Sequence, residues 1–161
     1  FQYSDNDLLA FESDHQVDQS TAQYKAGEKL HELGACNNCH FYGTEFPIQG
    51  AQTWAPNMAL TKERLQPAWV IEWMRDPQNI MPGTKMPAPF LPDKELLQLP
   101  GAASDWGKHV VKVGGDREAM LEGLRDYIYT IKGKTDITNE IQQYFKKNGY
   151  EFEFDEEDED W

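Results

Sequence analysis

The sequence has few cysteines, no excess of positive charge and no long apolar segment. Its 161 residues include two cysteines, and 15 Lys and Arg stand against 28 Asp and Glu, a formal net charge of -13. Two cysteines exclude a disulfide framework, and the acidic balance argues against binding nucleic acid, whose phosphates require basic clusters. No apolar run exceeds four residues, far below the ~20 that a membrane-spanning helix needs. We therefore expect no membrane span in this chain and no nucleic-acid partner.

The acidic excess is confined to the two ends of the chain. Residues 1–19 contain five acids and residues 151–161 contain eight, and neither segment has a Lys or Arg. The remaining residues, 20–150, contain 15 acids and 15 bases and are formally neutral. We interpret residues 1–19 as an acidic arm or linker and residues 151–161 as an acidic tail, in which like-charge repulsion disfavours packed structure.

Helical periodicity dominates residues 20–150 and predicts an all-α domain of about four to five helices. The first helix follows a sequence of capping-box form, Ser20-Thr21-Ala22-Gln23, and ends at Gly34. A second helix begins at Pro67, because proline is favoured at the first helical position, and stops before Pro77.

Two more helices are predicted towards the C-terminus. Asp116 is a suitable N-cap for a helix whose apolar residues recur at helical spacing as far as Ile131. A last helix spans about residues 138–147. Residues 41–65 have little periodicity, and residues 100–115 are rich in glycine, so both segments are predicted to be loops.

The sequence Cys-Asn-Asn-Cys-His at residues 36–40 carries the chemistry. It is a C-x-x-C-H sequence, the attachment signature of c-type haem. Two thiols at this spacing can reach the two vinyl groups along one haem edge and form thioethers. The adjacent His40 can then supply the proximal bond to the iron.

This motif has three other interpretations. A thioredoxin-like C-x-x-C is expected in a βαβ context, whereas this one follows a predicted helix. A zinc site needs four ligands, but there is no second cysteine pair, and His15, His31 and His109 are scattered along the chain. The third is a chance C-x-x-C-H whose side chains only pack.

The chain resembles the class I cytochromes c over about residues 24–132. Beyond the haem motif, four segments carry the resemblance in the family's order. Ala55-Pro56-Asn57-Met58 is similar to the family's G-P-x-L loop, and Pro82-Gly83-Thr84-Lys85-Met86-Pro87 is similar to its P-G-T-[KR]-M segment. Trp69 to Pro77 is similar to a two-tryptophan segment of cytochrome domains in respiratory complexes. Leu124-Arg125-Asp126-Tyr127 is similar to the family's C-terminal helix. In the family, an aromatic residue of that helix packs against a glycine of the first helix, here Gly27.

The resemblance implies a class I cytochrome c fold around one covalently bound haem c. Cys36 and Cys39 would attach the haem, and His40 and Met86 would ligate its iron. The carbonyl of Pro56 would accept the second ring proton of His40. Two segments have no counterpart in the minimal family pattern, an insertion near residues 97–115 and the extra helix near 138–147.

The sixth iron ligand and the role of Trp73 each have alternative assignments. Met81 is also followed by proline and rivals Met86 as the sixth ligand, with His109 or an open site as further alternatives. Trp73 would donate its indole N–H to a haem propionate, or it is a buried tryptophan with an incidental partner. We expect His31 to be a surface histidine, and Met74 and Met120 to be core side chains.

A His/Met-ligated haem predicts one-electron transfer between respiratory-chain proteins rather than catalysis on a substrate. The alternative is a haem subunit or domain of a larger membrane-bound oxidoreductase complex. A gas sensor or peroxidase would need an open sixth position. The expected partners are redox proteins with a basic docking surface. The family resemblance implies an extracytoplasmic location, in bacteria the periplasm, and residues 1–19 would suit a linker left by a removed leader or membrane helix.

Overall fold

The computed structural model describes residues 15–149, and these residues are mostly helical. Within them there is no β-strand, and the two isolated β-bridges pair His40 with Ala55 and Tyr42 with Glu45. This agrees with the predicted all-α class. The α-helices of this range are α1 (Ala22–Leu33), α2 (Thr61–Arg64), α3 (Pro67–Arg75), α4 (Pro77–Ile80), α5 (Lys94–Leu97), α6 (Ala102–Asp105), α7 (Lys108–Val113), α8 (Arg117–Thr130) and α9 (Thr138–Lys147).

The four longer helices begin and end close to the predicted residues. The hydroxyl of Thr21 caps α1 by accepting from the backbone N–H of Tyr24 at 3.1 Å, and Gly34 follows the helix. Pro67 opens α3. The carboxylate of Asp116 caps α8 through the N–H of Ala119 at 3.0 Å. These caps satisfy N–H groups that have no partner inside the helix, so they place the helix start locally.

Helices α1 and α8 cross at two glycines, and this crossing organises the core. A Cβ added to Gly27 would lie 2.0 Å from the carbonyl carbon and oxygen of Gly123. Only glycine therefore allows the two backbones to approach this closely. The atoms nearest to this Cβ are backbone atoms of Gly123 and Leu124, on the helix that the resemblance predicts to pack against Gly27. The aromatic contact with Gly27 stays a prediction. Around the crossing lie the buried side chains of Ala26, Leu30, Val70, Met74, Val110, Met120, Leu121 and Leu124.

The segment 100–115 is not the loop that its glycines predict. It contains α6 and α7, and α7 packs against α1 with Val110 fully buried. Residues 41–65 are also not wholly irregular, because they contain α2 and two single 3-10 turns, Ala51–Thr53 and Met58–Leu60. The prediction for residues 41–65 rests on weak periodicity and that for residues 100–115 on glycine content. Neither signal detects helices of one or two turns.

The described end of the acidic arm contacts the helical domain. Nε2 of His15 lies 2.7 Å from the Asp126 carboxylate on α8, and Val17 packs against the core. The predicted acidic tail and most of the arm lie outside the described residues. None of the helices between residues 15 and 149 is long and apolar enough to cross a membrane.

Candidate functional site

The two cysteines lie on a single turn directly after α1. Gly34 ends the helix, and Ala35 adopts a left-handed conformation with φ of 48°. The chain then forms the 3-10 turn Cys36–Asn38, in which the N–H groups of Cys39 and His40 both donate to the carbonyl of Cys36, at 3.2 and 3.0 Å. Both thiols are free and half-buried. One turn thus presents two unpaired thiols and an imidazole.

The thiol of Cys36 is not a reactive thiolate. Burial raises its pKa to about 11, so it stays protonated at neutral pH. Thiols that act in disulfide exchange have lowered pKa values, usually from a nearby positive charge or a helix N-terminus. This environment does not favour the thioredoxin-like interpretation of the motif.

The imidazole of His40 is oriented by a backbone carbonyl. Nδ1 donates to the carbonyl oxygen of Pro56 at 2.7 Å, the contact expected from the family resemblance. Residues 39–41 and residues 55–58 run side by side. The N–H of Ala55 donates to the Cys39 carbonyl, and that of Met58 donates to the Phe41 carbonyl, both at 2.8 Å. With its proton on Nδ1, the neutral ring carries a lone pair on Nε2, the form that ligates metals.

The protonation state of His40 follows from its surroundings. Burial lowers the pKa of the imidazole, and the hydrogen bond to Pro56 opposes that shift in part. The ring is therefore neutral at pH 7. This is a required state for a histidine ligand, because a protonated imidazole has no lone pair to donate.

The two methionines that compete for the sixth position differ in exposure. Met81 is 58% exposed, whereas Met86 is half-buried and packs against the core. Hydrogen bonds hold the Met86 segment, since the N–H of Met86 donates to the hydroxyl oxygen of Thr84 at 3.3 Å. The other three methionines, Met58, Met74 and Met120, are buried in the core. The structure thus favours Met86 over Met81 as an inward-facing thioether.

The segments of His40 and Met86 border the same loop. The carbonyl of Pro56 accepts from His40, and four residues earlier the carbonyl of Gln52 accepts from Lys85 Nζ at 3.1 Å. Residues 50–58 therefore connect the two candidate iron ligands.

Trp73 is half-buried, and its indole N–H donates to Sδ of Met86 at 2.7 Å. This contact agrees with the alternative prediction, a tryptophan with an incidental partner in the protein. The ring also stacks on Trp69, with centroids 5.2 Å apart and planes 11° apart. The contact with a haem propionate stays a prediction, while the N–H has a sulfur acceptor in the protein.

His31 is buried, which corrects the prediction of a surface histidine. It is 7% exposed, its Nε2 shares a 2.6 Å hydrogen bond with the hydroxyl of Tyr42, and its ring lies 4.8 Å from that of Tyr127. Burial lowers its pKa to about 4. The spacing of Tyr24, Gly27 and His31 at i, i+3 and i+7 is the pattern that could have placed His31 on the buried face of α1.

The added helix α9 covers the loop that follows the haem motif. The ring of Tyr144 stacks on Phe46 at 5.2 Å and contacts Trp54 at 4.9 Å. Trp54 in turn contacts Phe41, the residue after His40. His109, the other alternative ligand, lies elsewhere, in a cleft between α7 and α1 with Lys25 and Glu28.

No group of three or more His, Cys, Asp or Glu side chains that could hold a metal ion occurs between residues 15 and 149. A haem iron needs only two protein ligands, because the porphyrin nitrogens supply four. No protein-family model matches this chain, and no curated protein matches it significantly.

Proposed function

We propose that this chain is a one-electron carrier with a single haem c, attached through Cys36 and Cys39 and ligated by His40 and Met86. The observation that carries the proposal is the hydrogen bond from Nδ1 of His40 to Pro56. This bond orients a neutral imidazole and leaves its Nε2 unprotonated, with a lone pair that can ligate a metal. The imidazole directly follows two free thiols at the spacing of haem attachment.

The donor set of the site fits this group. Two free thiols can add across vinyl groups. A neutral imidazole and a thioether are the ligand pair of electron-transfer cytochromes, and both ligand segments border residues 50–58. When bound, the haem supplies an iron that changes between the ferrous and ferric states.

The protein's own residues perform the remaining tasks. Pro56 fixes the tautomer and orientation of His40, and this hydrogen bond strengthens the imidazole as a donor. The half-buried Met86 would close the sixth position to external ligands, and its thioether favours the ferrous state. A closed site transfers electrons without substrate chemistry, so we infer a carrier rather than an enzyme.

The class of cytochrome that the motifs resemble receives its haem outside the cytoplasm, so we propose an extracytoplasmic location for this carrier. The same centre would serve a diffusing protein or a haem subunit of a membrane complex. Co-purification of the chain with a respiratory complex would favour the second form.

The test is a comparison of Met86→Ala with Met81→Ala in protein produced with haem-attachment machinery. We expect wild-type protein to retain haem on a denaturing gel and, when oxidised, to have a sulfur-to-iron charge-transfer band. Met86→Ala should abolish the band, lower the midpoint potential and admit carbon monoxide to the reduced iron, whereas Met81→Ala should resemble wild type.

Two results would contradict the proposal. Haem that is absent, or that is lost on denaturation, would refute covalent attachment. A charge-transfer band that survives Met86→Ala but disappears in Met81→Ala would refute the ligand assignment.

A further inference from the structure

We propose that the cleft between α1 and α7 binds the phosphate group of a small molecule. Its lining includes residues of three helices, among them Lys25, Lys29, Lys108, His109 and Tyr127. Its volume of about 500 Å³ lies in the range of small-molecule sites, ~300–1,000 Å³. No residue of the proposed haem site lines the cleft, so the proposal does not rest on the presence of haem.

The shape of the cleft depends on a close approach of α7 to α1 at Gly107. This glycine directly precedes α7 with φ of 85°, and a Cβ added there would lie 3.1 Å from Cγ of Lys29. A larger residue would therefore be strained in its backbone and pressed against α1. Helix α7 belongs to the insertion near residues 97–115, which the minimal pattern of the resembling family lacks, so the cleft is an addition of this chain.

Positive charge converges on His109 from two helices. Three lysines act on this imidazole, Lys25 from α1 and Lys108 and Lys112 from α7. Burial lowers the pKa of His109, the three ammonium groups lower it further, and Glu28 opposes them. The ring is therefore neutral at pH 7, beside a cluster of like charges.

The lysines of this cluster are not neutralised by salt bridges. Between residues 15 and 149, no carboxylate forms a salt bridge with Lys25, Lys108 or Lys112, whereas Lys29 is paired with Glu32 at 2.9 Å. Lys25 is also half-buried, so its ammonium group loses part of its hydration. Like charges held together in this way are destabilising, and an anion bound between them would offset that cost.

The nearby acids do not cancel the cluster. Glu28 is the remaining acid of the cleft, and Asp18, on which Lys25 also acts, is hydrogen-bonded to Ser20. Three unpaired lysines against Glu28 leave a local charge of +2, in a chain of net charge -13. A phosphate group carries a charge of about -1.5 to -2 at pH 7 and three strong acceptor oxygens, so it matches this excess.

Two further observations concern the groups around the lysines. Nδ1 of His109 is enclosed and has no hydrogen-bond partner, whereas buried polar atoms ordinarily have one. Polar groups on this side of the cleft are thus not fully satisfied by the chain itself. The cleft is also larger than a phosphate ion, and Tyr127 provides an aromatic surface for the organic part of a phosphate ester.

The test is a titration of full-length protein with inorganic phosphate and with phenyl phosphate, followed by the NMR signals of the His109 imidazole. The protein is kept reduced, so that ferric iron does not broaden the signals. Sodium chloride at equal ionic strength is the control for screening. Lys25→Gln and Lys108→Gln each remove one ammonium group of the cleft. The matched control is Lys62→Gln, which removes the same charge from an exposed position on α2.

We expect saturable shifts with both phosphates and a higher pKa of His109 in the bound protein, because a nearby anion stabilises the imidazolium. Lys25→Gln and Lys108→Gln should each weaken binding about tenfold, the size of one hydrogen bond to a charged group. Lys62→Gln should bind like wild type. Tighter binding of phenyl phosphate would identify a phosphate ester as the ligand, and equal binding would identify free phosphate.

Shifts that do not saturate, or that sodium chloride reproduces, would overturn the proposal, as would equal losses in Lys62→Gln and the two cleft variants. If one cleft variant fails to fold, the other still decides the question. These outcomes are distinct from failure of the proposed function. Absence of covalent haem would leave phosphate binding to be measured in the same way, and absence of phosphate binding would leave the haem spectrum unchanged.

Discussion

At the scale of single residues, burial lowers the pKa of both His31 and His40 and keeps both rings neutral, but the consequences differ. His40 donates its Nδ1 proton in a hydrogen bond to the carbonyl of Pro56, and this leaves Nε2 free to ligate a metal. His31 is neutral because the α1–α8 contact removes it from water, and its pKa falls from 6.5 to about 4. For His31 the consequence concerns stability.

We predict that His31 makes the folded protein less stable as the pH falls below 6.5. The unfolded chain binds a proton at His31 near pH 6.5, whereas the folded chain binds it only near pH 4. The unfolded state therefore holds more protons in this range, and the contribution of His31 is fully present above pH 6.5. Between pH 6.5 and 5 the loss should be about 2 kcal/mol.

Denaturant unfolding of His31→Phe at pH 7 and pH 5 checks this prediction. In wild-type protein, His31 makes the free energy of unfolding lower at pH 5 than at pH 7. In the variant most of this difference should disappear. Tyr42→Phe is the control, because it removes the 2.6 Å hydrogen bond but leaves a buried histidine, so its pH dependence should remain. An unchanged pH dependence in His31→Phe would assign the effect to other groups.

The residues that could be predicted from sequence are those whose roles are local. Cys36, Cys39 and His40 form one contiguous motif, and capping residues such as Asp116 act within one helical turn. Helical spacing places His31 on the same face of α1 as Tyr24 and Gly27. The burial of that face depends on the approach of Gly27 to Gly123, which is distant in sequence. The contact of Trp73 with Met86 likewise requires the tertiary arrangement of α3 and the following segment.

At the scale of secondary-structure elements, the glycines of residues 100–115 explain why this segment was wrongly predicted. Gly101 and Gly107 precede α6 and α7, and Gly114 follows α7, with φ values of 88°, 85° and 72°. Each glycine supplies a residue of positive φ at a helix boundary, so these glycines delimit short helices. Local composition does not distinguish such boundaries from a continuous loop.

The added helix α9 should stabilise the loop beside the proposed haem site through one aromatic ring. Tyr144 contacts Phe46 and Trp54, and Trp54 contacts Phe41 next to His40. We predict that Tyr144→Ala reduces the free energy of unfolding by about 1–3 kcal/mol, since it removes a half-buried aromatic cluster member.

Chemical denaturation of the two variants Tyr144→Ala and Gln143→Ala measures this effect. Gln143 precedes Tyr144 on the same helix but is exposed, so its replacement should change stability by less than about 0.5 kcal/mol. Equal effects of the two substitutions would mean that α9 contributes through helix formation alone and not through the aromatic contacts.

At the scale of the whole molecule, the distribution of charge affects how fast the protein associates with a charged partner. Residues 20–150 are neutral in total, and the whole excess of -13 lies at residues 1–19 and 151–161. Long-range steering raises association rates for oppositely charged partners and weakens as salt screens it, with a Debye length of about 8 Å at 0.15 M. An electron carrier depends on such brief encounters, so the acidic ends favour a basic redox partner.

Deleting residues 151–161 tests this argument, because it removes eight acids and no base and changes the net charge from -13 to -5. We predict slower oxidation or reduction by a basic redox protein, and a weaker dependence of the bimolecular rate on salt. Reaction with an anionic reagent such as ferricyanide should become faster, since repulsion is reduced.

A full-length variant in which the eight acids become Asn or Gln separates charge from chain length. It should reproduce the rates and the salt dependence of the truncated protein, while the haem spectrum and the midpoint potential stay unchanged in both. Rates that fall only on truncation would assign the effect to Phe152, Phe154 and Trp161, which lie among the acids. Identical rates and salt dependence in all three proteins would contradict steering by this segment.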